Sequence, residues 1–317
     1  MVLVFIVTIV GITAELLLVR KMPIDTGSAD QTEPLKADLK PDIKIPIYEV
    51  FPPPQVSPSL DEKKPASSII DPDPIPDREK RPSPAKKQVP PKGHSRPKVV
   101  IIIDDIGYNR KIVDQFLSLD LPLTFSVLPF SPHQQRAIKK VRSKNREIML
   151  HLPMEPKEYP KIDPGPGALL TAMTPEELTL RLYEALDTIP QAVGVNNHMG
   201  SRVTTNTKQM YQILSILKQR GLFFIDSKTA NKTVTRDLAR TLKLPYAQRT
   251  IFLDNQLAPE KIKKQLMQLV QVAKKRGVAI GIGHPHEETY RVLARELPHL
   301  KRQVQIVTAS RVVRVGG

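Results

Sequence analysis

The chain has 317 residues, enough for one large domain or two ordinary ones, and carries a formal charge of +16. It contains no cysteine, so disulfides and thiolate metal sites are excluded, and any metal must be held by Asp, Glu or His. The basic balance suits anionic partners, yet no helix-turn-helix, zinc-finger or RNA-binding signature accompanies it, and no nucleic-acid partner is expected.

Residues 2–19 are nearly all apolar, interrupted by Thr8, Thr13 and Glu15, and Arg20 and Lys21 follow. The run approaches the roughly 20 residues needed to span a bilayer. An uncleaved membrane anchor over residues 1–21 is expected. A cleaved signal is the alternative, although neither a basic start nor a small-residue cleavage site is clear, and a buried amphipathic helix is the third reading. The position of Arg20 and Lys21 after the span, taken alone, favours the opposite orientation to an exported domain. Residues 22–97 are dense in proline (Pro52, Pro53, Pro54, Pro72, Pro74, Pro76, Pro82, Pro84, Pro90 and Pro91), with Lys, Asp, Glu and Ser between. Such a segment buries too little apolar surface to fold, and it reads as an extended, disordered spacer.

From residue 98 the pattern alternates strand and helix. Strands are expected at 99–103, 124–128, 147–150, 192–196, 222–225, 250–253, 278–282 and 304–307. Thr174, Pro175 and Glu177 predict a helix with a capping box and proline at its first position. Further helices are expected over 208–220 and 259–276, ended by Gly221 and Gly277. Repeated βα units imply parallel strands with helices outside. Over residues 98–317 this predicts an α/β fold, a distorted (β/α) barrel of seven or eight parallel strands. A doubly wound open sheet is the other topology that fits.

Polar residues gather after these strands. Asp104 and Asp105 end the β-branched run at 99–103, where two carboxylates call for a compensating cation or proton. His151 and Glu155 follow the third strand, Asn197, His198 and Ser201 the fourth, Asp226 the fifth, and His284 and His286 the run at 278–282. In parallel βα folds these ends converge on one face. Each also has a plainer reading: Asp226 with Ser227 as a helix cap, Asn197 as a left-handed turn, His286 as an exposed loop residue. Together they suit metal-assisted hydrolysis, with carboxylate and imidazole ligands, a carboxylate base and a histidine acid.

The segments Ile103-Asp104-Asp105-Ile106-Gly107, His151-Leu152-Pro153-Met154-Glu155-Pro156, Asn196-Asn197-His198-Met199-Gly200-Ser201, Phe224-Ile225-Asp226-Ser227 and Gly283-His284-Pro285-His286 resemble, in this order, the divergent polysaccharide deacetylases. The resemblance covers residues 98–315. It implies a distorted barrel and metal-dependent removal of acetyl groups from a glycan. Carried across, Asp104 is the general base, Asp105 and His151 are metal ligands, and His284 is the general acid. Better-known deacetylases have a second histidine four residues after the first. Glu155 stands there, so either Glu155 or His198 is the third ligand, with His198 favoured. The usual arginine motif after the next strand is replaced by Asn196-Asn197-His198-Met199-Gly200-Ser201, which leaves the base without its usual orienting partner. The resemblance also implies a divalent ion, zinc being expected, an acetylated glycan as substrate, and a domain facing the periplasm or exterior from the bacterial inner membrane, or secreted if the signal is cleaved. Two further readings stay open: a non-catalytic metal-containing glycan-binding or envelope-organising protein, and another metallohydrolase on a similar barrel. Nothing in the sequence sets an oligomeric state.

Overall fold

The computed structural model describes residues 96–315. The anchor expected at 1–21 and nearly all of the spacer at 22–97 lie outside the described residues. Among the described residues no helix is long and apolar enough to cross a membrane.

The elements alternate from β1 (Lys98–Ile106) through α1 (Arg110–Ser118), β2 (Thr124–Val127), α2 (Gln134–Ser143), β3 (Glu147–Met154), α3 (Pro175–Asp187), β4 (Gly194–Met199), α4 (Thr207–Gln219) and β5 (Phe223–Asp226). They continue with α5 (Thr235–Leu242), β6 (Tyr246–Gln248), β7 (Ile251–Phe252), α6 (Pro259–Arg276), β8 (Val278–Gly283), α7 (Glu287–Gln303) and β9 (Gln305–Ile306). The sheet runs in the order β6-β5-β4-β3-β2-β1-β8-β7. Its ladders are parallel throughout. Its two end strands, β6 and β7, are neighbours in sequence. Gln248 and Ile251 are three residues apart, a reach of roughly 10 Å. A sheet whose opposite edges are tied so closely must curl into a distorted half-barrel, and no ladder joins β6 to β7 among the described residues.

The expected alternation holds, with three corrections. β6 was not expected, because three residues, two of them only part-buried, give little period to read. The strand expected at 250–253 shortens to Ile251–Phe252. The run at 304–307 is no barrel stave: β9 pairs only with Lys98 and Val99 at the start of β1. The Thr174 capping box is present in full, and Gly277 ends α6 in the left-handed conformation at φ 82°.

Two apolar layers explain where the site must lie. Val99, Ile101 and Ile103 join the layer between sheet and helices. Val100 and Ile102 join an inner layer with Met149, Ile225, Ile280 and Ile282. Side chains alternate across a strand. The inner rows therefore continue, past the apolar layer, into Asp104 on β1, His151 on β3, Asn196 and His198 on β4, and His284 after β8. The other end of the inner layer is closed by Ala309 and Val312 of the C-terminal segment.

Candidate metal centre

Asp105 should point outward by this alternation, but it does not. Ile103 pairs with Phe125 and Ile106 with Val127, so β1 spends one residue more than β2 across this stretch. The bulge and a left-handed backbone at Asp105 (φ 54°) turn its side chain inward. Both carboxylates consequently approach one imidazole: Asp105 Oδ1 is 3.2 Å and Asp104 Oδ2 3.6 Å from His151 Nε2. Adjacent residues of a regular strand would instead point to opposite faces. The left-handed backbone also stores strain at a residue that touches the centre.

β3 and β4 supply the imidazoles. His151 faces Asn196 across the ladder, and His198 lies two residues further along β4, on the same face. His198 Nδ1 is 3.0 Å from Asp105 Oδ1 and 3.1 Å from His151 Nε2. Asp105 Oδ1, His151 Nε2 and His198 Nδ1 thus form a nearly equilateral triangle. Ligands about 2.0–2.1 Å from a tetrahedral ion stand about 3.3 Å apart, so the triangle fits a divalent ion with little adjustment. Asp105 Oδ1 is buried yet has no directed hydrogen bond. An orphaned buried carboxylate oxygen aimed between two ring nitrogens calls for a cation.

Asn196 organises the layer beneath. Its Nδ2 donates to both oxygens of Asp104, at 2.9 and 3.0 Å, and to Ser227 Oγ. Its Oδ1 accepts from Ser126 Oγ and faces His151 Nδ1 at 3.0 Å. With Asn196 Oδ1 as acceptor, His151 Nδ1 must be the donor, which fixes the ring and leaves Nε2 toward the triangle. Asp104 therefore does have an orienting partner, an asparagine rather than an arginine.

Charge follows from these contacts. Burial raises the Asp104 carboxyl above its usual value, more than His151 and His284 lower it. Burial pushes Asp105 the same way, but His151 and His198 outweigh it and hold the carboxyl well below the usual range. Burial works to lower the His151 imidazolium, and the two aspartates raise it instead. The centre draws positive charge to the Nε2 position, as a proton or as a cation.

Across the centre, His284 Nδ1 is 2.8 Å from Asp254 Oδ1, whose other oxygen accepts from His284 N (2.6 Å) and Thr289 Oγ1 (2.7 Å). Burial works against the charged ring, yet Asp254 pushes its pKa up to about 9. Asp105, His198 and His284 open into a cavity of about 420 Å³, with His286 on its wall. Asp104 does not line it and is 1% exposed.

The other candidates sit elsewhere. The Glu155 carboxylate accepts from Thr171 N and Oγ1 and pairs with Arg202 at 2.8 Å, so it is committed to the β3–α3 loop. Ser201 Oγ accepts from Lys157 N and tethers the same loop. Asp226, fully buried, accepts from Lys228 N and from the Thr233 and Thr235 hydroxyls, bracing the start of α5. Asn197 is not left-handed; that conformation falls on Met199 (φ 52°), whose carbonyl accepts from Asn197 Nδ2. Glu155→Gln is expected to cost about 1–2 kcal/mol in urea unfolding, through the weakened Arg202 pair. An unchanged unfolding midpoint would contradict that role.

Two residues escaped sequence reasoning. Asp254 follows a strand end as the others do, but β7 is only two residues long and hides the signal. Arg249 donates to Ser227 O and Lys228 O, with its guanidinium 3.6 Å above the Phe252 ring. Phe252 in turn lies 5.8 Å from the His284 ring.

The profile of the divergent polysaccharide deacetylases matches residues 101–313. The chain belongs to this family. It is 32% identical over 213 residues to the uncharacterised protein YibQ of Escherichia coli (strain K12), a match covering 67% of this chain and 66% of that protein. It is 31% identical over 210 residues to an uncharacterised protein of Haemophilus influenzae, covering 66% of this chain and 74% of the other. The crystal structure of uncharacterised protein ATU2773 from Agrobacterium tumefaciens C58 superposes with a TM-score of 0.66 at 24% identity, over 70% of this chain and 91% of that one. That last likeness is one of fold.

Proposed function

We propose that this chain is a metal-dependent hydrolase that removes acetyl groups from a glycan of the bacterial envelope, held at the membrane by its N-terminal apolar segment. The observation that carries the reading is the triangle of Asp105, His151 and His198, with its orphaned carboxylate oxygen, two of whose residues, Asp105 and His198, line an open cavity. Two imidazoles and one carboxylate suit zinc. When bound, the ion would polarise the acetyl carbonyl and acidify water.

The chain's own groups supply the rest. Asp104, its carboxyl raised above the usual value by burial and oriented by Asn196, accepts the proton of the attacking water. His284, held as the imidazolium by Asp254, donates a proton to the departing amine or alkoxide. The His151 Nδ1 contact to Asn196 keeps its other nitrogen directed at the triangle. Acetate release from an acetylated glycan oligomer, lost on chelation and restored by a divalent ion, tests the reading. Release that is indifferent to chelation would overturn it.

The burial of Asp104 beneath the cavity floor favours a second reading, a metal-containing glycan-binding protein without turnover. The two readings part at Asp104, whose carboxylate the hydrolase needs and the binding protein does not.

The His284–Asp254 pair sets a pH dependence. A histidine raised from 6.5 to about 9 contributes stability in full below pH 6.5 and loses it as pH rises through 9. Deacetylation should decline over the same upper range. Asp254→Asn is expected to move this descending limb toward pH 6.5 and to remove the associated stability at pH 7. An unmoved limb in rate profiles between pH 6 and 10 would contradict the assignment.

A further inference from the structure

The cavity wall beyond the centre carries features the reaction leaves unused. Tyr108 lines it and is 52% exposed, with no hydrogen bond or ring contact among the described residues. An aromatic ring of this size left open beside a reactive centre is a binding surface in waiting. Its backbone is pinned on both sides. Gly107 O accepts from His133 N at 2.9 Å, and the Asn109 side chain caps α1 through Lys111 N and Ile112 N. Gly107 itself sits at φ 135°, where an added Cβ would lie 1.9 Å from Ser131 Oγ. Position 107 therefore requires glycine in this turn, and the flanking hydrogen bonds hold the backbone that presents Tyr108.

The remaining walls agree in chemistry. Pro129, Pro153, Pro164, Pro166 and Pro285 line the cavity, and among its described lining residues there is no Lys or Arg. This is notable in a chain of +16 charge. Apart from the aspartate and histidines of the centre and its rim, Asp163 is the one charged wall residue. Phe130, 40% exposed and left-handed at φ 57°, rests its ring on Gly167 of the loop that carries Pro164 and Pro166. Away from the centre and the His284 imidazolium, this wall of prolines and Tyr108 carries no Lys or Arg, so it fits the flat face of an uncharged ring and offers an anionic one no ion-pair partner.

We propose that Tyr108 is the stacking platform of a second sugar position, taking an uncharged pyranose ring adjacent to the one that is deacetylated. The proposal rests on the deacetylase reading above and names its substrate class: a neutral oligosaccharide of at least two rings.

The test uses the full chain in detergent micelles, loaded with zinc. Binding of a neutral β-linked tetramer of N-acetylglucosamine, of the monosaccharide and of a uronic acid tetramer is measured by calorimetry for wild type, Tyr108→Phe and Tyr108→Ala, with metal content alongside. Tyr108→Phe is expected to bind the neutral tetramer within about twofold of wild type, because the ring remains. Tyr108→Ala is expected to bind it about tenfold more weakly, with monosaccharide affinity and metal content unchanged. Wild-type affinity for the tetramer in Tyr108→Ala overturns the platform alone. So does an equal loss for tetramer and monosaccharide, or tighter binding of the uronic acid tetramer than of the neutral one. No binding of the neutral tetramer by the wild type overturns the deacetylase reading together with the platform.

Discussion

Asp104→Asn is expected to lower deacetylation about 100- to 10,000-fold while leaving the metal in place. Asparagine keeps the shape of the side chain and one oxygen for the Asn196 Nδ2 donor, which now bonds both carboxylate oxygens at 2.9 and 3.0 Å. The three triangle atoms belong to other residues, so the ligand set is untouched. What is lost is the buried negative charge that accepts a proton. The same change should stabilise the ion-free protein at neutral pH. A carboxyl whose folded pKa is raised above 3.8 costs stability at all pH values above that unfolded value. A variant that is more stable in chelator, still binds metal and no longer turns over is the signature of a buried base. Undiminished turnover would remove Asp104 from the chemistry. Loss of the ion would make it a ligand. Survival of the cellular role without any turnover in either protein would favour the glycan-binding reading.

His151→Ala is expected to weaken metal binding about a hundredfold or more and to abolish turnover with it. His151 is the hub of the centre: its Nε2 faces Asp105, Asp104 and His198 at 3.2, 3.6 and 3.1 Å. Its Nδ1 contact to Asn196 ties the triangle to the layer that orients Asp104. Removing the ring leaves two carboxylates of the β1 bulge with His198 as the one remaining imidazole of the triangle. A buried charge stripped of its partner costs about 3–5 kcal/mol, so thermal unfolding of the variant should also be lower. His151→Gln, which fills the space without restoring the lone pair, separates the effects. It should recover part of the stability and none of the metal. Metal affinity retained in either variant would contradict the assigned ligand set.

The alternating βα pattern, the Thr174 capping box and the strand-end position of Asp104, His151, His198 and His284 were all legible, because each rests on local periodicity or on residue types that carry chemistry. The curled parallel sheet then follows from connection rules. What was not legible depends on a single backbone torsion or on a partner distant in sequence. The bulge at Asp104 and Asp105 reverses one side chain, and no residue in the run announces it. Glu155 has the right spacing for a ligand, but the chain leaves β3 at Met154, and Thr171 and Arg202 capture the carboxylate. Asp254 lay hidden because a two-residue strand has no period. Asn196 was visible as a strand-end residue, but its role needs the ladder that sets it opposite His151.

The assignment of Asp105, His151 and His198 as the metal site is tested by metal content in purified full-length wild type, His198→Gln and Glu155→Gln, measured by elemental analysis. Near-stoichiometric divalent metal is expected in wild type and in Glu155→Gln, and loss of it in His198→Gln. Metal that survives in His198→Gln and disappears in Glu155→Gln would contradict the assignment, as would a wild-type protein that takes up no divalent ion.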